Sequence, residues 1–456
     1  METNIELNTA DDKVEEVIND TKSKVEPGNM PSTVHINEIN QTAQPAAKLT
    51  KPPPDDVFVI KQTSMTPKLS RNTFEESAKI VGDDVSITID GFGMITTDKG
   101  TEVVKRFTFI NKNKFQVQVI SLGATVTSIR FPDKNGSLED VVLGFDSIEE
   151  YFELSNPNIG CTLGRDAFET LKDEHYSGLG LYNWISSIDD SRLVLTHVSE
   201  DGWQGHRGTV MIKAIFELKK DNSFHVTYWA TSTTPTSINL SLNLFLNLAG
   251  HAAKHTELYK HIFTINSDKS IKERTYRLSK FKPLSVGGTV YDLRSPKEIG
   301  PVIARSPQYG FDKYYILTKG TEQTISFAAR VIHPESGRYL ELYTDQGGVQ
   351  LYTADYFPDS GSNDVIPIVS EDTPTGDAST VLSASVSNNS MKSLLKSKGG
   401  EIKGKNGAIY QRHGSFCINS LGLPAEDIGK IFSNHILVPG RNYEHRIIYK
   451  FGTLEQ

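Results

Sequence analysis

The feature that most limits how this chain can fold is a series of short segments, from Val85 onward, in which apolar and polar residues alternate. Residues 107–110, 115–120, 224–229, 325–330 and 339–343 all show this alternation. A period of two is typical of a half-buried β-strand, and turn residues separate such segments about every 8 to 12 positions. A long helical period is almost absent between them, so one fold class is predicted.

The connections between these segments indicate how the strands pair. Residues 111–114 read Asn-Lys-Asn-Lys, and residues 132–136 read Pro-Asp-Lys-Asn-Gly. Asn and Gly tolerate the positive φ angles that tight hairpins require, and strands joined by tight turns pair antiparallel. We therefore predict an all-β fold, a large antiparallel β-sandwich, over residues 86–456.

Two segments depart from this pattern. Residues 1–85 are rich in Asp, Glu, Lys, Asn, Thr and Pro and hold 15 acidic against 9 basic residues, a net charge of −6. Such a composition cannot offset the entropy lost on ordering, so we predict a disordered acidic tail. Residues from about 359 to 402 are a second polar stretch. A loop of this length inside a compact domain is usually functional or disordered, so we interpret the stretch as a flexible Ser-rich insertion.

Composition excludes several classes of protein. The net charge is −8 in total, which argues against nucleic acid as a partner because phosphate binding needs clustered Lys and Arg. Only Cys161 and Cys417 occur, so a disulfide framework is not expected. The N-terminal sequence has no signal-peptide pattern, and no run of about 18 apolar residues suggests a membrane span. We expect a cytoplasmic protein that does not contact the membrane.

A set of motifs, most of them containing glycine, follows in a particular order between residues 88 and 450. They are Gly123-Ala124-Thr125-Val126-Thr127-Ser128, Asp140-Val141-Val142-Leu143-Gly144-Phe145-Asp146, Gly160-Cys161-Thr162-Leu163-Gly164-Arg165, Asp201-Gly202-Trp203-Gln204-Gly205-His206-Arg207-Gly208, Leu246-Asn247-Leu248-Ala249-Gly250, Tyr291-Asp292-Leu293-Arg294, Gly310-Phe311-Asp312, Gly348-Val349-Gln350-Leu351-Tyr352-Thr353, Gly404-Lys405-Asn406-Gly407-Ala408-Ile409-Tyr410 with His413, Phe416-Cys417 and Pro439-Gly440. In this order the motifs resemble the galactose mutarotase (aldose 1-epimerase) family. The resemblance implies that family's β-supersandwich and an aldose sugar as ligand. Function does not follow from fold alone.

The resemblance also implies where proton transfer would take place. Mutarotation opens and recloses an aldose ring, which needs a base at the anomeric hydroxyl and an acid at the ring oxygen. The family's acid is a His three residues before a Phe-Asn-Leu segment, and this position matches Asn243. The family's base is a Glu two residues after a Cys, and this position matches Asn419. Since an amide can fill neither role, the catalytic pair is predicted to be missing.

Further departures concern the wall of the sugar site. The family's Gly-Arg-x-x-Asn-Arg segment ends here in Phe168 and Glu169 in place of a binding Asn and Arg. The stretch that carries a second sugar-contacting His in the family is compressed to residues 171–184. Asp312 matches the family's acceptor of a sugar hydroxyl, and Gln350 matches a binding amide. The alternatives are a turn cap for Asp312 and an ordinary polar strand residue for Gln350.

Histidines elsewhere could replace the missing groups, and we considered His251, His255, His261 and His413. In a strand-rich chain a hydrogen-bonded structural role is more common than a catalytic one. His251 and His255 have the i, i+4 spacing of two metal ligands on a helix, but a solvated loop without metal is the preferred interpretation. Neither a metal nor a cofactor is predicted.

Three functional hypotheses follow. The first is a catalytically degenerate family member that binds a sugar-like ligand or a protein in the cleft that corresponds to the family's sugar site. The second is a working aldose 1-epimerase in hexose metabolism with relocated acid and base groups. The third is an interaction protein whose protein partners bind residues 1–85 or 359–402, with the sandwich as a platform.

Overall fold

The computed structural model of the chain describes ten stretches of residues. They are 78–82, 84–97, 100–153, 156–167, 178–271, 283–307, 310–319, 324–358, 401–423 and 436–454. Most of the predicted tail and of the predicted insertion, residues 1–77 and 359–400, lies outside these stretches.

Strands make up most of the regular structure. In chain order they are β1 Ala78–Val81, β2 Val85–Thr97, β3 Gly100–Asn111, β4 Gln116–Ile120, β5 Thr125–Pro132, β6 Leu138–Asp140, β7 Thr162–Leu163, β8 Ile185–Asp189, β9 Arg192–Ser199, β10 Val210–Leu218, β11 Ser223–Ser232, β12 Thr236–Ser237, β13 Ser241–Leu242, β14 Ile262–Ile265, β15 Lys269–Ile271, β16 Leu284–Ser285, β17 Lys297–Glu298, β18 Asp312–Ile316, β19 Ser326–Ile332, β20 Arg338–Thr344, β21 Gly348–Tyr352, β22 Ile402–Lys403, β23 Ile409–Tyr410, β24 Cys417–Leu421, β25 Ile436–Leu437 and β26 Tyr443–Thr453.

Helices are short and few in the described stretches. The α-helices are α1 Ile148–Tyr151 and α2 Ile299–Arg305. The 3₁₀ turns are η1 Leu179–Leu181, η2 Trp203–Gly205, η3 His255–Lys260 and η4 Lys405–Gly407. None of the helices in these stretches combines the length and the apolar character needed to cross a bilayer.

The strands form three large sheets. One sheet has six strands in the order β1-β2-β3-β4-β5-β6, and a second has nine in the order β17-β14-β19-β20-β26-β11-β10-β9-β8. The third has five strands in the order β16-β15-β18-β21-β24. Neighbouring strands in all three pair antiparallel. The predicted antiparallel β-sandwich is confirmed.

The alternating pattern places every second side chain in the core. Along β10, Val210, Ile212, Ala214, Phe216 and Leu218 are buried, and the residues between them are half-buried. Successive side chains of a strand point to opposite faces, so one face of the sheet is apolar. Burying a side chain such as Phe216 stabilises the fold by about 1.5–3 kcal/mol, and the main core cluster includes side chains from all three large sheets.

Two boundaries differ from the sequence prediction. The first strand begins at Ala78 and pairs with β2, which itself begins at Val85, so the predicted boundary at residue 86 is too late. The four residues of β1, Ala78 to Val81, are too small a part of the polar segment 1–85 to change its overall composition. The predicted insertion, 359–402, also extends too far, because Ile402 is buried in the core and forms β22 with Lys403.

Candidate functional site

The candidate site lies on one face of the five-stranded sheet. Gln350 on β21 and Asn419 on β24 are register partners, and Gln350 is also opposite Tyr314 on β18. Residues directly opposite one another in an antiparallel pair point to the same face with their Cβ atoms about 5 Å apart. Asp312 begins β18 and therefore lies beside the same face. The sheet thus brings together three of the predicted site residues.

Asn243 reaches the site from another part of the chain. It follows β13, which pairs with β7, and its backbone N–H donates to the Cys161 carbonyl at 3.0 Å. Its carbonyl accepts a hydrogen bond from the backbone N–H of Gly160 at 2.8 Å. Gly160 has φ +73, and a Cβ there would lie 2.2 Å from the carbonyl oxygen of Val126, so only glycine fits this close approach.

The side chain of Asn243 has only one orientation that satisfies its partners. Its Nδ2 donates to the carbonyl oxygens of Pro157 at 3.2 Å and Asn158 at 3.0 Å. Because carbonyls only accept, the amide oxygen of Asn243 must point the other way. There it accepts a hydrogen bond from Nδ2 of Asn419 at 3.0 Å. Asn243 and Asn419 are 1% and 2% exposed, so water does not compete for this contact.

In the second hydrogen-bonded pair the donor is again the N–H group of a side-chain amide. Nε2 of Gln350 donates to Oδ1 of Asp312 at 2.6 Å. A carboxylate only accepts, so the Gln350 amide oxygen must point away from Asp312. Gln350 is 7% exposed, which is more burial than an ordinary polar residue on a half-buried strand would have. The two amides thus both use their N–H groups within the protein.

This arrangement leaves two buried acceptors side by side. Oδ1 of Asn419 and Oε1 of Gln350 find no hydrogen-bond partner among the described residues. A buried acceptor without a donor costs about 1–3 kcal/mol, so native proteins seldom retain one without a reason. Ligand hydroxyl groups or ordered water would satisfy both oxygens, whereas phosphate and carboxylate groups would bring further acceptors.

Three titratable groups around this face keep their protons at neutral pH. Burial raises the pKa of Tyr314, whose hydroxyl donates to the carbonyls of Leu421 and Gly422, well above its ordinary value. Burial likewise raises the pKa of Tyr352 and of the Cys417 thiol well above their ordinary values. These groups therefore stay protonated and neutral.

One side of the predicted sugar wall falls outside the described residues. The residues outside the description include Phe168, Glu169 and residues 171–177, the first part of the compressed stretch. Arg165, three residues earlier, is fully buried and donates to Ser199 Oγ and to the carbonyls of Ser199, Glu200 and Arg207. It acts as a structural anchor because all these bonds are made within the protein.

The histidines considered as substitutes make other contacts. Nδ1 of His251 lies 3.3 Å from the Tyr410 hydroxyl, and His251 is buried, whereas Ala252 and Lys254 after it are exposed. His261 donates from Nδ1 to the Glu257 carbonyl and accepts at Nε2 from the Leu248 N–H. His255 begins η3, and His251 precedes that turn, so the two do not share a helix as a metal pair would.

A different cluster could offer metal ligands. Glu257, His333 and Glu335 have candidate ligand atoms within 4.8 Å of one another. The Lys260 ammonium group donates to both carboxylates, at 2.8 Å each, and so already supplies the positive charge. We therefore assign no metal to this cluster.

A hydrogen-bonded chain beside the site was not anticipated from the sequence. His413 contacts the Tyr259 hydroxyl through Nδ1 at 2.8 Å and Oδ1 of Asp355 through Nε2 at 3.0 Å. The same carboxylate oxygen accepts from Thr353, whose hydroxyl also accepts the backbone N–H of Phe311. The chain thus holds the residue next to Asp312. His413 was noted as a family match, but no spacing rule connects these four segments.

Comparisons with known proteins show which family the chain belongs to. The sequence profile of the aldose 1-epimerase family matches residues 105–169 and 177–450. Galactose mutarotase of Bos taurus is 29% identical over 390 residues, which cover 81% of this chain and 99% of that protein. Galactose mutarotase of Homo sapiens is 28% identical over 389 residues with the same coverage.

Solved structures agree on the fold. A GalM/aldose epimerase homologue from C. elegans has a TM-score of 0.57 at 20% identity, covering 75% of this chain and 97% of that one. Galactose 1-epimerase from Lactobacillus acidophilus has a TM-score of 0.56 at 18% identity, covering 81% and 99%. The profile match spans well over half of the sequence, and the chain therefore belongs to the aldose 1-epimerase family.

Proposed function

We propose that this protein binds an aldose-type, hydroxyl-rich ligand on the face formed by Gln350 and Asn419 and does not accelerate mutarotation. The observation that carries the proposal is the hydrogen bond between Asn243 and Asn419, the residues at the predicted acid and base positions. Gln350 and Asn419 use their N–H groups inside the protein, so their amide oxygens remain for ligand hydroxyls. The relatives named galactose mutarotase support a sugar as the ligand.

The chemistry of the amide group supports the absence of catalysis. Ring opening moves a proton off the anomeric hydroxyl and onto the ring oxygen, and amides do neither near neutral pH. General acid and base groups contribute typically about 10² to 10⁴ in rate each. A site without both should therefore leave the interconversion close to its rate in solution.

A second candidate is a working epimerase, favoured by the Asp312 carboxylate. Asp312 is the titratable partner of Gln350 and so lies next to the acceptor face. One carboxylate would have to serve as base without a second group as acid.

For the compartment we propose the cytoplasm, which fits two buried cysteines that form no disulfide with each other.

The test is polarimetry with freshly dissolved α-galactose and α-glucose. The expected result is a decay of optical rotation at the solution rate at every protein concentration, together with calorimetric heat of sugar binding. A rate that rises in proportion to protein concentration would establish the working epimerase instead. An absence of binding heat for both sugars, at millimolar concentration, would count against an aldose ligand.

A double variant provides the matched comparison. Asn243→His with Asn419→Glu restores the side chains that the family resemblance implies for the acid and the base. A protein-dependent mutarotation rate in the double variant, and not in the original chain, is the expected result. Asn243→Gln with Asn419→Gln is the control, because it enlarges both side chains without adding a titratable group and should remain inactive.

A further inference from the structure

We propose that the site holds only one of the two anomers of its sugar ligand. This inference rests on the proposed function, since it takes Asn419 as the residue that faces the anomeric hydroxyl. The property would make the protein a selective binder of one ring form, in contrast to a catalyst that must accept both.

The first step is the rigidity of the acceptor. The Pro157 and Asn158 carbonyls orient the amide of Asn243, which in turn orients the amide of Asn419. Rotation of the Asn419 amide by half a turn would place its oxygen against the oxygen of Asn243. Both side chains are almost fully buried, so bulk water does not screen that repulsion. Asn419 therefore presents its single oxygen to the ligand in one direction.

The second step is the contrast with a carboxylate. A Glu at this position would offer two equivalent acceptor oxygens with about four lone-pair sites. It could accept a hydroxyl that projects either axially or equatorially from the anomeric carbon. A single fixed amide oxygen matches one of these directions, and the other anomer leaves the oxygen buried without a donor.

The third step is that the sugar ring cannot turn to compensate. Gln350 lies directly opposite Asn419, and its Oε1 is a second acceptor without a partner in the part of the chain that the structure describes. The hydrogen bond from its Nε2 to Asp312 fixes the direction of this oxygen. A ring that gives one hydroxyl to each oxygen has its orientation set by both. Rotating the ring to save the contact at Asn419 would break the contact at Gln350.

The experiment uses the full chain with D-galactose and D-glucose, each labelled with ¹³C at the anomeric carbon and equilibrated in solution. The two anomers give separate NMR signals because they interconvert slowly without a catalyst. Saturation transferred from the protein to each signal reports which anomer binds. We expect transfer to favour one anomer by about tenfold or more, the factor that one buried hydrogen bond supports.

Each other outcome is distinguishable. Equal transfer to both anomers would overturn anomer selection while leaving sugar binding in place. No transfer to either would overturn the proposed function and the inference with it. Exchange cross-peaks between the anomers that grow with protein concentration would show catalysis and likewise overturn both.

Two further measurements locate the selectivity. The 1-deoxy sugar lacks the anomeric hydroxyl and should bind the unaltered protein about tenfold more weakly, a result that requires no variant to fold. Asn419→Glu should bring the ratio of the anomers close to one. Ser420→Ala, which removes a buried hydroxyl on the opposite face of β24, should keep it. A preference unchanged in Asn419→Glu would assign selection to other residues and overturn the role given to Asn419.

Discussion

At the scale of single residues, the orientation of the site depends on which atoms of two amides donate. Asn243 connects three groups, the carbonyls of Pro157 and Asn158 and the amide of Asn419. Removing its side chain would leave the Pro157 carbonyl and Nδ2 of Asn419 without a partner among the described residues, whereas the Asn158 carbonyl keeps the N–H of Cys161 at 3.5 Å. The contact therefore has a structural effect that can be measured without any ligand.

The first prediction is a coupling energy between the two asparagines. Asn243→Ala should lower the free energy of unfolding by about 2 kcal/mol or more, since it strands buried polar groups. Asn419→Ala should cost less, and the double variant should show a coupling of about 1 kcal/mol. Urea unfolding of the four proteins gives all three values.

The control pairs Asn419 with a polar residue elsewhere. Asn111 donates to the carbonyl of Lys219 and to Asn222, and so shares no hydrogen bond with the site. Asn111→Ala and Asn419→Ala should be additive within about 0.5 kcal/mol. If Asn243 and Asn419 prove equally additive, the inferred orientation of their amides would lose its support.

At the scale of elements, His445 on β26 links the nine-stranded sheet to the strand that carries Asn419. It donates from Nδ1 to the Leu240 carbonyl at 3.0 Å and accepts at Nε2 from the Ser420 hydroxyl at 2.9 Å. Burial lowers the pKa of His445 to about 4. The folded protein therefore holds this imidazole in the neutral form.

The second prediction concerns stability against pH. The pKa of His445 in the folded protein lies below its ordinary value of 6.5. Its contribution to the free energy of unfolding is therefore complete above pH 6.5 and falls below that pH, as protons bind the unfolded chain. Between about pH 6.5 and pH 4 the loss is about 1.4 kcal/mol per pH unit. His261, whose pKa burial lowers to about 3, should add a similar slope. Urea unfolding at several pH values measures the sum.

A variant isolates the share of His445. His445→Gln retains one donor and one acceptor and should make the slope shallower by about 1.4 kcal/mol per pH unit. Ser420→Ala removes a hydrogen-bond partner but leaves the imidazole buried, so it should lower stability and keep the slope. A slope that is the same in His445→Gln and in the original chain would contradict the assignment.

The elements also show which parts of the fold the sequence could predict. The alternation at residues 107–110, 224–229 and 339–343 marks β3, β11 and β20, because each strand has one apolar face. The two-residue strands β7 and β13 were not predicted, since two residues carry no period. The position of Asn243 depends on these short strands, so alternation alone could not bring it to the site.

The site itself could be predicted only through the family resemblance. Asn243 and Asn419 are 176 residues apart in the sequence, and nothing in their local patterns connects them. The aligned positions predicted a common site, and the structure places the two side chains in contact. The partners that orient them are backbone carbonyls at Pro157 and Asn158. Every residue has a carbonyl, so residue types gave no sign of these contacts.

At the scale of the whole molecule, one core unites the three large sheets, and the site lies on the smallest of them. Phe357 and Ile402, which flank most of the predicted insertion, pack into a second cluster with Phe245 and Tyr410. A protein partner for residues 1–85 or 359–402 stays a prediction, because most of these residues lie outside the described stretches. The core and the proposed sugar site can be tested without them.

The last prediction concerns where the folded unit begins. β1 pairs with β2 from Ala78 to Val81, its Ile80 packs against the core, and Val85 is a core residue. A chain of residues 78–456 should match the full chain in urea unfolding and in sugar binding. A chain of residues 86–456 loses β1 and Val85, and should be less stable by about 1–3 kcal/mol. It also exposes the long edge of β2, which should promote aggregation. Equal stability of the two shortened chains would remove β1 from the fold, whereas a loss of stability already at residue 78 would place part of the preceding segment in it.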